Sequence, residues 1–89
     1  MSYKFLEIAD KKLMRIEEAI NNGDKKIIKE EAHCLKGAAA NLSAERLRSL
    51  FVRLEVESEE GNVSELGVCL RAVREELVRV GEFINDLKV

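Results

Sequence analysis

The chain has 89 residues, 46% of them apolar and 36% charged, and it contains no proline and no tryptophan. This composition is typical of one amphipathic helical domain, and we expect residues 1–89 to form it. A net charge of −2 gives no general electrostatic support for nucleic-acid binding. The chain has neither a signal peptide's apolar run nor the about 18 consecutive apolar residues of a membrane span, so we expect a cytoplasmic protein without membrane insertion.

The first predicted helix extends from about Ser2 to Asn22 and the second from about Lys25 to Ala40. Apolar residues recur along the first helix at spacings of three and four: Phe5, Ile8, Ala9, Leu13, Ile16 and Ile20. Gly23 is suited to end that helix because glycine readily takes a positive φ. Asp24 is suited to cap the second helix by accepting a hydrogen bond from a first-turn N–H.

Two more helices are predicted in the second half of the chain. Ser43 is a suitable N-cap for the third, whose apolar face is Leu47, Leu50, Phe51 and Leu54. Asn62 and Glu65 resemble a capping box at the start of the fourth. The fourth helix has the clearest apolar pattern, with residues spaced alternately by three and four as at a helix-packing interface: Val63, Leu66, Leu70, Val73, Leu77, Val80, Ile84 and Leu87. Short links make sequential helices antiparallel, which predicts an all-α, antiparallel up-down-up-down four-helix bundle.

The sequence offers little support for a metal or nucleotide site. Cys34 and Cys69 are far apart, form no CxxC motif and are accompanied by a single histidine, so we expect two reduced, half-buried thiols and no metal ion. Neither a P-loop nor a kinase or glycine-rich nucleotide signature is present, so we expect no ATP site.

The single histidine, His33, falls on the polar face of the second predicted helix. At about 100° per residue, six residues lie within about 60° of it: Lys26, Lys29, Glu30, Lys36, Gly37 and Ala40. The apolar stripe of the same helix points roughly the opposite way. Gly37 and Ala40 are small, so they leave bare backbone beside the imidazole, where another surface can approach.

The stretch from Ala32 to Glu55 resembles the histidine-containing phosphotransfer (HPt) domain. The resemblance rests on His33-x-x-Lys36-Gly37, Ala38-Ala39-Ala40-Asn41-Leu42, Leu47, Leu50 and Leu54-Glu55. One position departs, because the family usually has glycine where this chain has Ser43. The size of the chain and its four predicted helices also agree with the family.

The resemblance implies a role for each residue of the motif. His33 is the expected phosphoacceptor, since an exposed neutral ring nitrogen can act as a nucleophile. Lys36, one turn further on, is expected to stabilise the phosphoryl oxygens. Glu55 is expected to accept from Nδ1–H and leave Nε2 as the nucleophile. Gly37 and Ala40 are expected to provide clearance for the partner.

Lys26 and Lys29, on the same face as His33, and Glu55 each have two interpretations. Lys26 and Lys29 either help to attract an acidic partner or only solubilise the helix. Glu55 either orients the ring or only begins an acidic stretch. In that stretch Glu57, Glu59 and Glu60 are interpreted as a solvated charge run.

The resemblance also implies a phosphorelay intermediate, a phosphohistidine carrier rather than an enzyme. Its expected partners are response-regulator receiver domains and hybrid sensor histidine kinases. We expect a monomer without a cofactor of its own, and Mg²⁺ bound by the receiver, because this chain has no carboxylate cluster suited to it. Two alternatives remain open: the phosphoacceptor domain of a chemotaxis-type histidine kinase, and a non-catalytic helical interaction module whose histidine is incidental.

Overall fold

The protein is a four-helix bundle in a computed structural model that describes residues 3–87, with side chains described for residues 4–82. The helices are α1 (Tyr3–Asn22), α2 (Lys25–Asn41), α3 (Glu45–Glu60) and α4 (Val63–Leu87). The all-α prediction is confirmed, since no residue between 3 and 87 lies in a strand. The predicted helix start at Ser2 lies outside the described residues. The side chains of Ile84 and Leu87 are not among those described.

The bundle closes in chain order, with each helix packed against the next and α4 returning to α1. Its core is apolar and drawn from all four helices: Ala9, Leu13, Ile16, Ala19, Ile28, Ala32, Leu35, Ala39, Leu47, Phe51, Leu54, Leu66, Cys69, Leu70 and Val73. Full burial of one large side chain contributes about 1.5–3 kcal/mol, so these positions fix which way each helix faces. Within the described residues, no helix is both long enough and apolar enough to cross a bilayer.

One buried acid fixes the rotation of α2 against α1. Glu31 is only 7% exposed, and its Oε1 accepts from Nζ of Lys12 at 3.3 Å. A second cation, the guanidinium of Arg15, lies 3.8 Å from Oε2. A buried carboxylate is costly without such partners. Because Glu31 and the α2 core positions face inward, His33 is turned to the outer surface.

The predicted caps at the two glycine links form as expected, with one difference. Gly23 has a φ of 71°, and Oδ1 of Asp24 accepts from the N–H of Ile27 at 3.2 Å. At the start of α4, Oδ1 of Asn62 accepts from the N–H of Glu65 at 3.2 Å. The reciprocal half of that capping box is replaced, because the Glu65 carboxylate pairs with Arg53 instead.

Ser43 does not cap α3, and that prediction is wrong. Its φ is 58°, and the N-cap position belongs to Ala44, which makes no side-chain cap. Around it the N–H of Ala44 donates to the Ala39 carbonyl and the N–H of Ser43 donates to the Ala40 carbonyl. This is a Schellman ending, whose penultimate residue must take a left-handed conformation. Ser43 therefore takes the place of the glycine that the HPt pattern has here.

Ser43→Gly is expected to raise the free energy of unfolding by about 0.5–1 kcal/mol. Glycine takes a positive φ without a Cβ clash, although its greater freedom in the unfolded chain offsets part of the gain. Urea denaturation of the wild type, Ser43→Gly and Ser43→Ala measures the change. A capping hydroxyl would instead make Ser43→Ala cost about 1 kcal/mol and leave Ser43→Gly slightly destabilised, which would contradict the assignment.

Candidate functional site

His33 lies outward in the middle of α2 with a largely open surface around it. Its side chain is 69% exposed. A Cβ built on Gly37 would meet nothing within 4 Å, so this glycine is not required by any helix contact among the described residues. Ala40, one turn beyond Gly37, is also exposed. The arrangement gives a second protein direct access to the imidazole.

Glu55 reaches the site from α3, level with His33. Its side chain is 16% exposed, and its Oε2 lies 3.5 Å from Nδ1 of His33. That separation is longer than a formed hydrogen bond, so the ring must approach by about half an ångström to donate. Polar contacts of this kind are often long before a partner binds. Glu55 is therefore the carboxylate that faces Nδ1 of His33.

Lys36 shares the Glu55 carboxylate with His33. Its Nζ lies 3.0 Å from Oε1, and its side chain is 31% exposed. Oε1 is buried, and among the described residues it accepts no well-directed hydrogen bond, because Nζ is at bonding distance but not in a bonding direction. The contact is therefore an ion pair that compensates a buried charge, and not a rigid hydrogen bond.

Lys29 lies one turn before His33 and pairs across the helices with Glu59 of α3. Both side chains are more than half exposed. The hydrogen bond with Glu59 raises the pKa of the Lys29 ammonium, and the same bond lowers the pKa of the Glu59 carboxyl. Lys26 is exposed and joins no ion pair among the described residues. The structure thus brings Lys29 into the charged cluster and leaves Lys26 outside it.

Three residues of α3 at this site were missed from the sequence: Val52, Val56 and Glu59. Together with Glu55, Lys29 and Lys36, they line a shallow recess beside His33. Val52 and Val56 are 36% and 49% exposed, so they present apolar surface to solvent. The spacing 52, 55, 56 and 59 is one face of a helix, and this is the signal that identifies them. Glu59 is therefore not part of an undifferentiated charge run.

The cysteines are free, but they are not equally half-buried as predicted. Cys34 is exposed next to His33, whereas Cys69 is buried in the core. The Cys69 thiol donates to the Leu50 carbonyl at 3.3 Å, and burial raises its pKa. Within the part of the chain that the structure describes, no three His, Cys, Asp or Glu side chains are grouped to hold a metal ion.

A comparison with protein-family models matches residues 2–83 to the family described as the Hpt domain. The chain belongs to the Hpt domain family. Comparisons with curated proteins and with solved structures found no match. Hpt domains are phosphocarrier modules that act with receiver domains in two-component phosphorelays, and the fold seen here is the four-helix bundle of that family.

Within this Hpt domain, Glu55 is expected to select the tautomer of His33 that is protonated on Nδ1. The wild type and Glu55→Gln should both show this form at mildly alkaline pH, because an amide oxygen can also accept from Nδ1–H. Glu55→Ala should shift the ring toward the Nε2-protonated form. Imidazole ¹⁵N NMR measures the two populations. Equal populations in wild type and Glu55→Ala, with Glu60→Ala as the same-helix control, would contradict the orienting contact.

Proposed function

We propose that this Hpt domain accepts a phosphoryl group on Nε2 of His33 from the aspartyl phosphate of one receiver domain. It then passes the group to the aspartate of a second receiver. The single observation that carries the proposal is an imidazole that is 69% exposed and whose Nδ1 lies 3.5 Å from the largely buried carboxylate of Glu55. The family match supports the same role.

The chemistry proceeds by displacement at phosphorus. The Nε2 lone pair attacks, the P–N bond forms, and the receiver's carboxylate leaves with the electron pair of the broken P–O bond. The ring keeps its Nδ1 proton and becomes cationic, with the Glu55 carboxylate facing that proton. In the second transfer the next receiver's carboxylate attacks phosphorus, and the P–N electron pair returns to Nε2.

The remaining residues assist positioning and charge. Lys36 lies one turn from His33 and supplies positive charge for the phosphoryl oxygens. Gly37 and Ala40 admit the receiver, and Lys29 and Lys26 contribute positive charge to the docking face. We further propose that the receivers bind the Mg²⁺ for both steps, and that the domain works as a cytoplasmic monomer with response regulators and hybrid sensor kinases.

A panel experiment tests this role. Phosphoramidate, a small phosphodonor, loads the purified protein, and the product is mixed with purified receiver domains in Mg²⁺. We expect acid-labile, base-stable phosphate that leaves the wild type for at least one receiver and never forms on His33→Gln. Loading only by a histidine kinase's catalytic domain would instead assign the chemotaxis-type alternative. If no donor phosphorylates His33, phosphotransfer is ruled out and the non-catalytic interaction module is the remaining alternative.

A further inference from the structure

Both lysines that flank His33 already have carboxylate partners on α3. Lys36 lies 3.0 Å from Glu55, and Lys29 pairs with Glu59. Lys29 also feels the charge of Glu55, which contributes to raising its pKa. In the unphosphorylated domain, the positive charges of Lys29 and Lys36 are therefore already balanced by the negative charges of Glu59 and Glu55.

A phosphoryl group on Nε2 changes this balance. It brings about −1.5 to −2 charges and three strong acceptor oxygens to the space between Lys29 and Lys36. Each lysine lies about one helical turn from His33, so its flexible side chain can reach these oxygens. An ammonium that turns to the phosphoryl group gives up its contact with α3. When Lys29 turns, Glu59 is left as an unpaired negative charge near the phosphoryl group, whereas Glu55 still faces the Nδ1 proton of the cationic ring.

We propose that Glu59 competes with the phosphoryl group for Lys29 and thereby lowers the stability of phosphorylated His33. The inference rests on the proposed function and specifies one regulatory feature of the same site. Glu59 stabilises the unphosphorylated domain through its ion pair with Lys29 and repels the phosphoryl group in the phosphorylated one. Both effects favour transfer onward to a receiver over retention of the phosphoryl group.

A substitution at Glu59 tests this competition cleanly, whereas one at Glu55 would not. Glu55 also faces Nδ1 of the ring, so its removal changes both the orientation of the nucleophile and the charge. Glu59 has its ion pair with Lys29, and its side chain is 61% exposed, so Glu59→Gln should not disturb the core. The neighbouring Glu60 is also exposed and joins no ion pair among the described residues. Glu60→Gln therefore removes the same net charge as a matched control.

The experiment is an equilibrium competition in one tube. ¹⁵N-labelled wild type and unlabelled Glu59→Gln are mixed in equal amounts, with a trace of a receiver domain that exchanges phosphoryl groups with both and Mg²⁺. Phosphoramidate loads the mixture to below half occupancy and is removed. Intact mass spectrometry at mildly alkaline pH then gives the phosphorylated fraction of each protein, which depends only on their relative phosphoryl affinity.

We expect Glu59→Gln to hold about two- to fivefold more phosphoryl group than the wild type, the range of one exposed ion pair. Glu60→Gln should stay close to the wild type, and about 0.5 M salt should shrink the Glu59→Gln preference. Equal occupancy of Glu59→Gln and wild type, or an equal shift in Glu60→Gln, would overturn the competition. Absence of phosphate from wild-type His33 would instead overturn the proposed function.

Discussion

His33→Gln is expected to abolish phosphoryl acceptance while changing the free energy of unfolding by no more than about 0.5 kcal/mol. The imidazole is 69% exposed and contributes no core contact, and the Glu55 carboxylate keeps Lys36 as its ion-pair partner when the ring is replaced. Glutamine has no nucleophilic ring nitrogen. Acid-labile phosphate after phosphoramidate treatment and the urea midpoint measure the two effects.

The two measurements on His33→Gln separate chemistry from folding. Acid-labile phosphate retained in the variant would place the acceptor elsewhere in the chain. A loss of more than about 2 kcal/mol in unfolding free energy would show that the ring has a structural role that its exposure contradicts.

Gly37→Gln is expected to slow phosphotransfer from a receiver by at least about tenfold while leaving loading by phosphoramidate nearly unchanged. The glutamine side chain would stand one turn from His33, on the surface that a receiver must approach, whereas a small phosphodonor can pass it. Stability should rise by about 0.5 kcal/mol because glutamine favours the helix more than glycine does. Because a Cβ added at Gly37 meets open space, no described neighbour has to move.

Gly67→Gln is the matched control for this variant. Gly67 is also an exposed helical glycine whose added Cβ would meet nothing within 4 Å. It lies on α4, which among the described helices packs against α1 and α3 and not against α2. Normal receiver transfer in Gly37→Gln, or an equal loss in Gly67→Gln, would show that the face beside His33 is not the docking surface.

The register of the site could be predicted from the sequence because helices are rigid and the links are short. Once the 3.6-residue pattern assigns α2 and α3 and a tight link makes them antiparallel, His33 and Glu55 must lie at similar heights. The structure places the ring and the carboxylate 3.5 Å apart at their nearest atoms. The outward direction of His33 follows from the same pattern, since the core positions of α2 face the other way.

The missed features depend on contacts that periodicity does not encode. A serine before a helix has the same local sequence pattern whether it caps that helix or ends the previous one. Here the hydrogen bond from the N–H of Ala44 to the Ala39 carbonyl shows that Ser43 ends α2. The partner of Lys29 depends on where α2 and α3 side chains meet in space. Helical spacing places Glu59 on the same face of α3 as Glu55, but only the packing of α2 against α3 shows that Glu59 pairs with Lys29.

The most direct test of the proposed phosphoryl acceptance is a ³¹P–¹⁵N NMR measurement on the phosphorylated protein, with ¹⁵N in the imidazole of its one histidine. We expect a phosphorus–nitrogen coupling to Nε2 of His33 and a proton retained on Nδ1, the nitrogen that faces Glu55. A coupling to Nδ1, or phosphorus bound to any atom outside the His33 ring, would contradict the assignment of Nε2 as the acceptor.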